Sequence, residues 1–137
     1  MISVLSTTGK YLLQPSLMEM HHSSLEWLST TVLWKQEVSF FQKLLDRYSP
    51  QLTSVDDKKK VSHFQNVITY YGGELIDTLR KKIKAHEHKL ADRLQELKTT
   101  DTEYYQEHGE LMEELGAFLK TFNSFKSEFF GFIDKAL

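Results

Sequence analysis

The sequence predicts an all-α protein, an antiparallel up-and-down bundle of three long helices with coiled-coil-like packing. Three observations carry the prediction. Leu111, Leu115, Phe118, Phe122, Phe125, Phe129 and Phe132 alternate steps of four and three residues, the a/d seam of a helix that lies along other helices. Capping-box signatures open three segments of helical periodicity: Ser16-Leu17-Met18-Glu19, Ser54-Val55-Asp56-Asp57 and Thr100-Asp101-Thr102-Glu103. In each, a hydroxyl can accept from an orphan amide while the acid reaches back to the cap residue. Two prolines and six glycines in 137 residues leave few places to turn.

Residues 1–15 read as a flexible or extended N-terminal arm, and residues 16–137 as a single helical-bundle domain. Within the arm, Ile2 to Leu5 and Tyr11 to Leu13 could dock on the bundle. The first helix spans about 17–48 and stops at Ser49-Pro50, because the residue before proline is pushed out of the helical region. Its inward residues are expected to be Leu25, Leu28, Val32, Val38, Phe41, Leu45 and Tyr48. The second spans about 55–98, with Ile76, Leu79, Ile83, His86, Leu90, Leu94 and Leu97 as its seam, extended upstream by Val61, Phe64 and Ile68. The third fills about 101–135. At about 1.5 Å per residue these rods are roughly 48, 66 and 52 Å long, so the middle one outruns its neighbours. Gly72-Gly73 accounts for the mismatch by kinking the second helix or splitting it into a four-segment bundle. A kink is favoured, because no proline or polar cluster follows. The connections near 50–53 and 99–100 are short, which makes sequential helices antiparallel neighbours.

Gly109, Gly116, Ser124 and Gly131 recur beside the phenylalanine seam. They imply tight packing against the first or second helix, or else a close self-association surface. Trp27, Trp34, Phe40, Tyr70 and Tyr71 fall off the narrow seams. A surplus of large apolar side chains points to a partner protein or a homodimer.

Composition excludes several classes. A formal net charge of −2 gives no general attraction to nucleic acid or anionic lipid. The lack of cysteine removes disulfides, thiolate metal sites and cysteine nucleophiles. No apolar run is long enough for a membrane span, and Met1 to Ser16 lacks the pattern of a secretory leader, so the expected location is cytoplasmic. The basic stretch Arg80-Lys81-Lys82-Ile83-Lys84, with Lys89, is expected to face the acids of 101–114 rather than a polyanion. The turn near 99 sets Lys89 level with about residue 109 and Lys84 with about 114.

Six histidines are the one chemical lead. Antiparallel packing should bring His21, His22 and His86 within about two turns of each other, with Glu113 or Glu114 nearby and His108 a turn or more further on. Imidazoles and a carboxylate projecting inward from separate helices can hold iron or zinc. The plainer alternative is a set of neutral, hydrogen-bonded core histidines. Two metal-bundle patterns are missing. Hemerythrin-like proteins carry His-x-x-x-Glu and His-x-x-x-His pairs, but here the fourth residue after His63 is Val67, after His86 Leu90 and after His108 Met112. Ferritin-like di-iron proteins need two Glu-x-x-His pairs, and Glu19 to His22 supplies one. Phosphate-binding glycine loops and Gly-x-Ser-x-Gly are absent as well. His63 reads as a polar cap on the far end of the core.

The expectation is therefore a non-enzymatic helical-bundle protein, without cofactor, acting through protein–protein contacts or self-association. The alternative is a metal-binding bundle using His21, His22, His86, His108 and Glu113.

Overall fold

The computed structural model describes residues 17–96 and 102–137, with side chains outside 93–96. The predicted N-terminal arm, the Ser16 and Thr100-Asp101 caps, and Leu94 and Leu97 of the second seam lie outside those described features. The described chain is all α-helical: α1 (Leu17–Tyr48), a 3-10 turn (Ser49–Gln51), α2 (Val55–Tyr70), a π-helical turn (Tyr71–Leu75), α3 (Ile76–Glu96) and α4 (Thr102–Asp134). Pro50 sits in the 3-10 turn that ends α1. Ser54 caps α2, its Oγ accepting from the Asp57 amide at 3.0 Å.

Contacts between rods fix their directions. Lys35 meets Asp77 and Gln42 meets Gln65, so α1 runs against the second rod. Lys89 meets Glu107, Lys82 meets Glu114 and Lys135 meets Asp57, so the second rod runs against α4. Basic and acidic runs thus pair with each other, about half a turn from the predicted register.

The α4 seam is the centre of the molecule. All seven predicted residues from Leu111 to Phe132 are buried, with Phe122 and Phe129 wholly so. Phe41 of α1, Phe64 of α2 and Tyr71 of the π turn pack against them edge-on or tilted, at ring separations of 5.2–6.2 Å. Such edge contacts suit the ring quadrupoles better than face-to-face sandwiches.

In α1 the predicted inward face needs correction. Met20, Ser24, Thr31, Trp34, Val38, Phe41 and Leu45 are buried, whereas Leu25 and Val32 are exposed. With the half-buried Trp27 inserted, the true seam steps 20, 24, 27, 31, 34, 38, 41, 45, in unbroken fours and threes. Ser24 and Thr31 disguise it. A buried threonine is tolerated here because its hydroxyl donates to the Leu28 carbonyl at 2.7 Å and accepts from Arg80.

The second rod neither breaks nor stops at Gly72-Gly73. Its buried residues run Phe64, Ile68, Tyr71, Ile76, Leu79, Ile83, His86 and Leu90, with one step of five between Tyr71 and Ile76. One extra residue would swing every later side chain about 100° off the core. A wide π turn absorbs it and keeps both halves of the seam pointing inward. The glycines have unequal reasons to be there. A Cβ on Gly72 would lie 3.0 Å from Val38 Cγ1, while one on Gly73 meets nothing within 4 Å. Gly73→Ala should therefore raise stability by about 0.5–1 kcal/mol through lost unfolded-state entropy. Gly72→Ala should gain nothing or destabilise, because buried Val38 is stiff at χ1. Paired urea melts check this contrast.

The small-residue stripe is a second correction. Gly109, Gly116, Ser124 and Gly131 are exposed, and a Cβ on any of the three glycines would meet nothing within 4 Å. The stripe packs against neither α1 nor the second rod.

Candidate functional site

Two features outside the hydrophobic core hold chemistry. The first is a buried polar cluster at the α3–α4 end of the bundle. His86 of α3 is wholly buried and His108 of α4 nearly so. They continue the apolar seams of their helices, so packing alone delivers both rings to the interior. His86 Nδ1 lies 2.6 Å from Glu107 Oε1, and His86 Nε2 lies 3.0 Å from His108 Nδ1. Lys89 Nζ donates to the other Glu107 oxygen at 2.6 Å.

The proton order follows from the acid. Burial pushes the Glu107 carboxyl up, but hydrogen bonds and charge from Lys89 and His86 together bring it below its ordinary range. An ionised Glu107 only accepts, so His86 Nδ1–H donates to it. His86 Nε2 and His108 Nδ1 share the second hydrogen bond of the cluster. His108 Nε2 is buried and without a partner among the described residues. Burial first, and His86 beside it second, push His108 down to about 4, so it stays neutral near pH 7. Ser24 Oγ on α1 is buried and unpartnered in the same sense. The rings are walled in: Tyr104 stacks on His86 at 4.1 Å and 4°, and Trp27 stacks on His108 at 4.5 Å and 25°.

The predicted ligand set does not assemble as one group. His86 and His108 meet directly, closer than the expected turn of separation. His21 instead pairs with Glu87 on α3. His22 and Glu113 are exposed, and Glu114 pairs with Lys82. Among the described residues no group of three or more histidine or acidic side chains is placed to hold a metal ion. Both nitrogens of His86 are already engaged. Of the carboxylates that do meet histidines, Glu107 was missed because the predicted register paired His86 with residues further along α4, and Glu87 because His21 was set level with residues before it. The Lys89–Glu107 pairing of charge runs was the signal that could have found Glu107. His63 is exposed beside Phe64, at the end of the bundle where it was expected.

The second feature is the outer face of α1. Met18, Leu25, Val32, Leu33 and Phe40 lie along it, 44–56% exposed. Met18, Leu25 and Val32 are spaced by seven, as are Leu33 and Phe40, so they form a stripe about 33 Å long. Its lower part borders an open groove of about 580 Å³ between α1 and α3, lined by Val32, Lys35, Phe40 and Lys43 from one side and Asp77 and Arg80 from the other. Lys35 Nζ donates to Asp77 Oδ1 at 2.7 Å, and that hydrogen bond holds the Asp77 carboxyl below its ordinary range. Arg80 donates to neutral acceptors, Thr31 Oγ1 at 2.8 Å and the Leu28 carbonyl at 3.3 Å. Lys43 has no carboxylate partner among the described residues. Three cations against one acid leave the groove positive.

No family model matches the chain, and no curated protein or solved structure matches it. No helix among the described residues is long and apolar enough to cross a membrane.

Proposed function

We propose that this chain is a non-enzymatic helical-bundle module that works through surface contact, in the first instance with further copies of itself. The observation that carries this reading is the apolar stripe from Met18 to Phe40 on the outside of α1. The a/d seam of α1 is already satisfied by the core. The stripe lies on a different face, and among the described residues nothing covers its large side chains, which favours a partner surface. Scattered exposed leucines need no explanation; five large apolar residues on one helix face at heptad-related spacing do. The buried histidine pair supports the same reading. Its rings are buried, with Tyr104 stacked on His86 and Trp27 on His108.

Replacing Leu25 and Leu33 with glutamine tests the proposal, because both positions are exposed and glutamine is a good helix former. Thermal stability should stay within about 1 kcal/mol of the parent. Light scattering after size exclusion should show the parent above its 16.1 kDa chain mass and the variant shifted towards it. A parent that elutes at chain mass with stoichiometric iron or zinc, lost in His86→Ala, would replace this reading by the metal-binding one.

A further inference from the structure

We infer that the groove between α1 and α3 receives the outer face of α4 from a second copy of the chain. The inference rests on the self-association reading above and names the two surfaces that meet.

Charge selects the occupant. The groove presents Lys35, Lys43 and Arg80 against the single carboxylate of Asp77, with Val32 and Phe40 as its apolar edge. On the outside of α4, Glu103, Glu110 and Glu113 are exposed and have no cationic partner among the described residues. The other acids of that stretch are spent inside the molecule, Glu107 on Lys89 and His86 and Glu114 on Lys82. A carboxylate-bearing helix face and a cationic groove are therefore both left over. Opposite potentials of this kind steer association and fix register.

Shape agrees. Gly109 and Gly116 lie on the same face of α4, with open space where a Cβ would stand. Each costs about 1 kcal/mol of helix stability relative to alanine, with no intramolecular packing to explain it. Glycine lets the α4 backbone sink into a groove that a larger side chain would bridge.

The geometry also sets the mode of assembly. The inner seam of α4 packs against α1 and the second rod, so its outer face points away from the groove formed on their far side. One molecule cannot satisfy its own groove, and the contact is head-to-tail. Head-to-tail contacts close into rings or run on as open chains.

Sedimentation velocity on charge-reversed chains tests this. Lys43 is chosen because it makes no ion pair among the described residues, and Glu110 and Glu113 for the same reason. Lys43→Glu alone and Glu110→Lys with Glu113→Lys should each weaken association about tenfold or more, with unchanged circular dichroism. The chain carrying all three changes should regain part of the association, since the carboxylate placed at position 43 can pair with the ammonium groups placed at 110 and 113. If the parent associates but neither reversal weakens it, or the triple change fails to restore it, the groove assignment is wrong while self-association stands. If the parent stays at 16.1 kDa at every concentration, both are wrong.

Discussion

Phe122→Ala is expected to lower the stability of the fold by about 3–5 kcal/mol. Phe122 is fully buried, and its ring meets Trp34, Phe41, Tyr71, Phe118 and Phe125 from all three rods. Lys126 Nζ lies 4.6 Å from its centroid and ties the ring to the Lys126–Glu37 ion pair between α4 and α1. Truncation removes the transfer energy of the ring and leaves a cavity that five rigid neighbours cannot collapse into. Domains of this size are stable by roughly 5–15 kcal/mol, so the loss is a large share of the total. Phe130→Ala, at a half-exposed site on the next residue face, should cost about 1 kcal/mol or less. Urea denaturation of the two variants measures the difference. Equal costs would mean that the α4 seam is not the centre of the core.

The second large effect is on pH. An unfolded His108 takes a proton below about pH 6.5, whereas the folded one refuses it until about 4. Between those values the unfolded state binds more protons, so stability falls as the solution is acidified. The contribution is present in full above about 6.5, declines through the window, and levels off below about 4. A shift of that size corresponds to about 3 kcal/mol at neutral pH. Chemical melts from pH 7.5 down to 4 should show the decline, and His108→Leu should flatten it. A His108→Leu profile as steep as the parent's would show that other groups carry the acid response. Glu107 adds a further loss at more acid pH, below its ordinary value of 4.5, since its carboxyl is held below that value in the fold.

How much of this could be read in advance depended on whether the chain advertised its periodicity in apolar residues. α4 did so throughout, and its whole seam is buried as expected. The C-terminal end of α1 and the start of α2 were legible because Pro50 and Ser54 act locally, through backbone restriction and a single hydrogen bond. The α1 seam was not, because two of its buried positions are Ser24 and Thr31, and Leu25 and Val32 offered a plausible rival face. Placing that face outward moved Trp34 into the core and left the exposed stripe on which the functional reading depends. The glycine pair was noticed, but its consequence required counting the step of five from Tyr71 to Ile76. A π turn is what that step demands once both flanking seams are known to be buried. The histidine pair was half legible. Its members were recognised as core positions, yet their partners depend on register, and a late register exchanged Glu107 for Glu113.

The two features divide the molecule's work. The Glu107–His86–His108 chain makes one end of the bundle acid-sensitive through buried His108. The outer α1 stripe faces outward, and Lys43 in the groove beside it has no carboxylate partner among the described residues. Substitutions in the first should therefore be read out in stability, and substitutions in the second in assembly.

The central claim is that the uncovered face of α1 draws copies of this chain together. Sedimentation equilibrium of the untagged chain, loaded across a wide concentration series, tests it most directly. The account predicts a weight-average mass that climbs above 16.1 kDa as concentration rises. A mass fixed at 16.1 kDa across the whole series would contradict it.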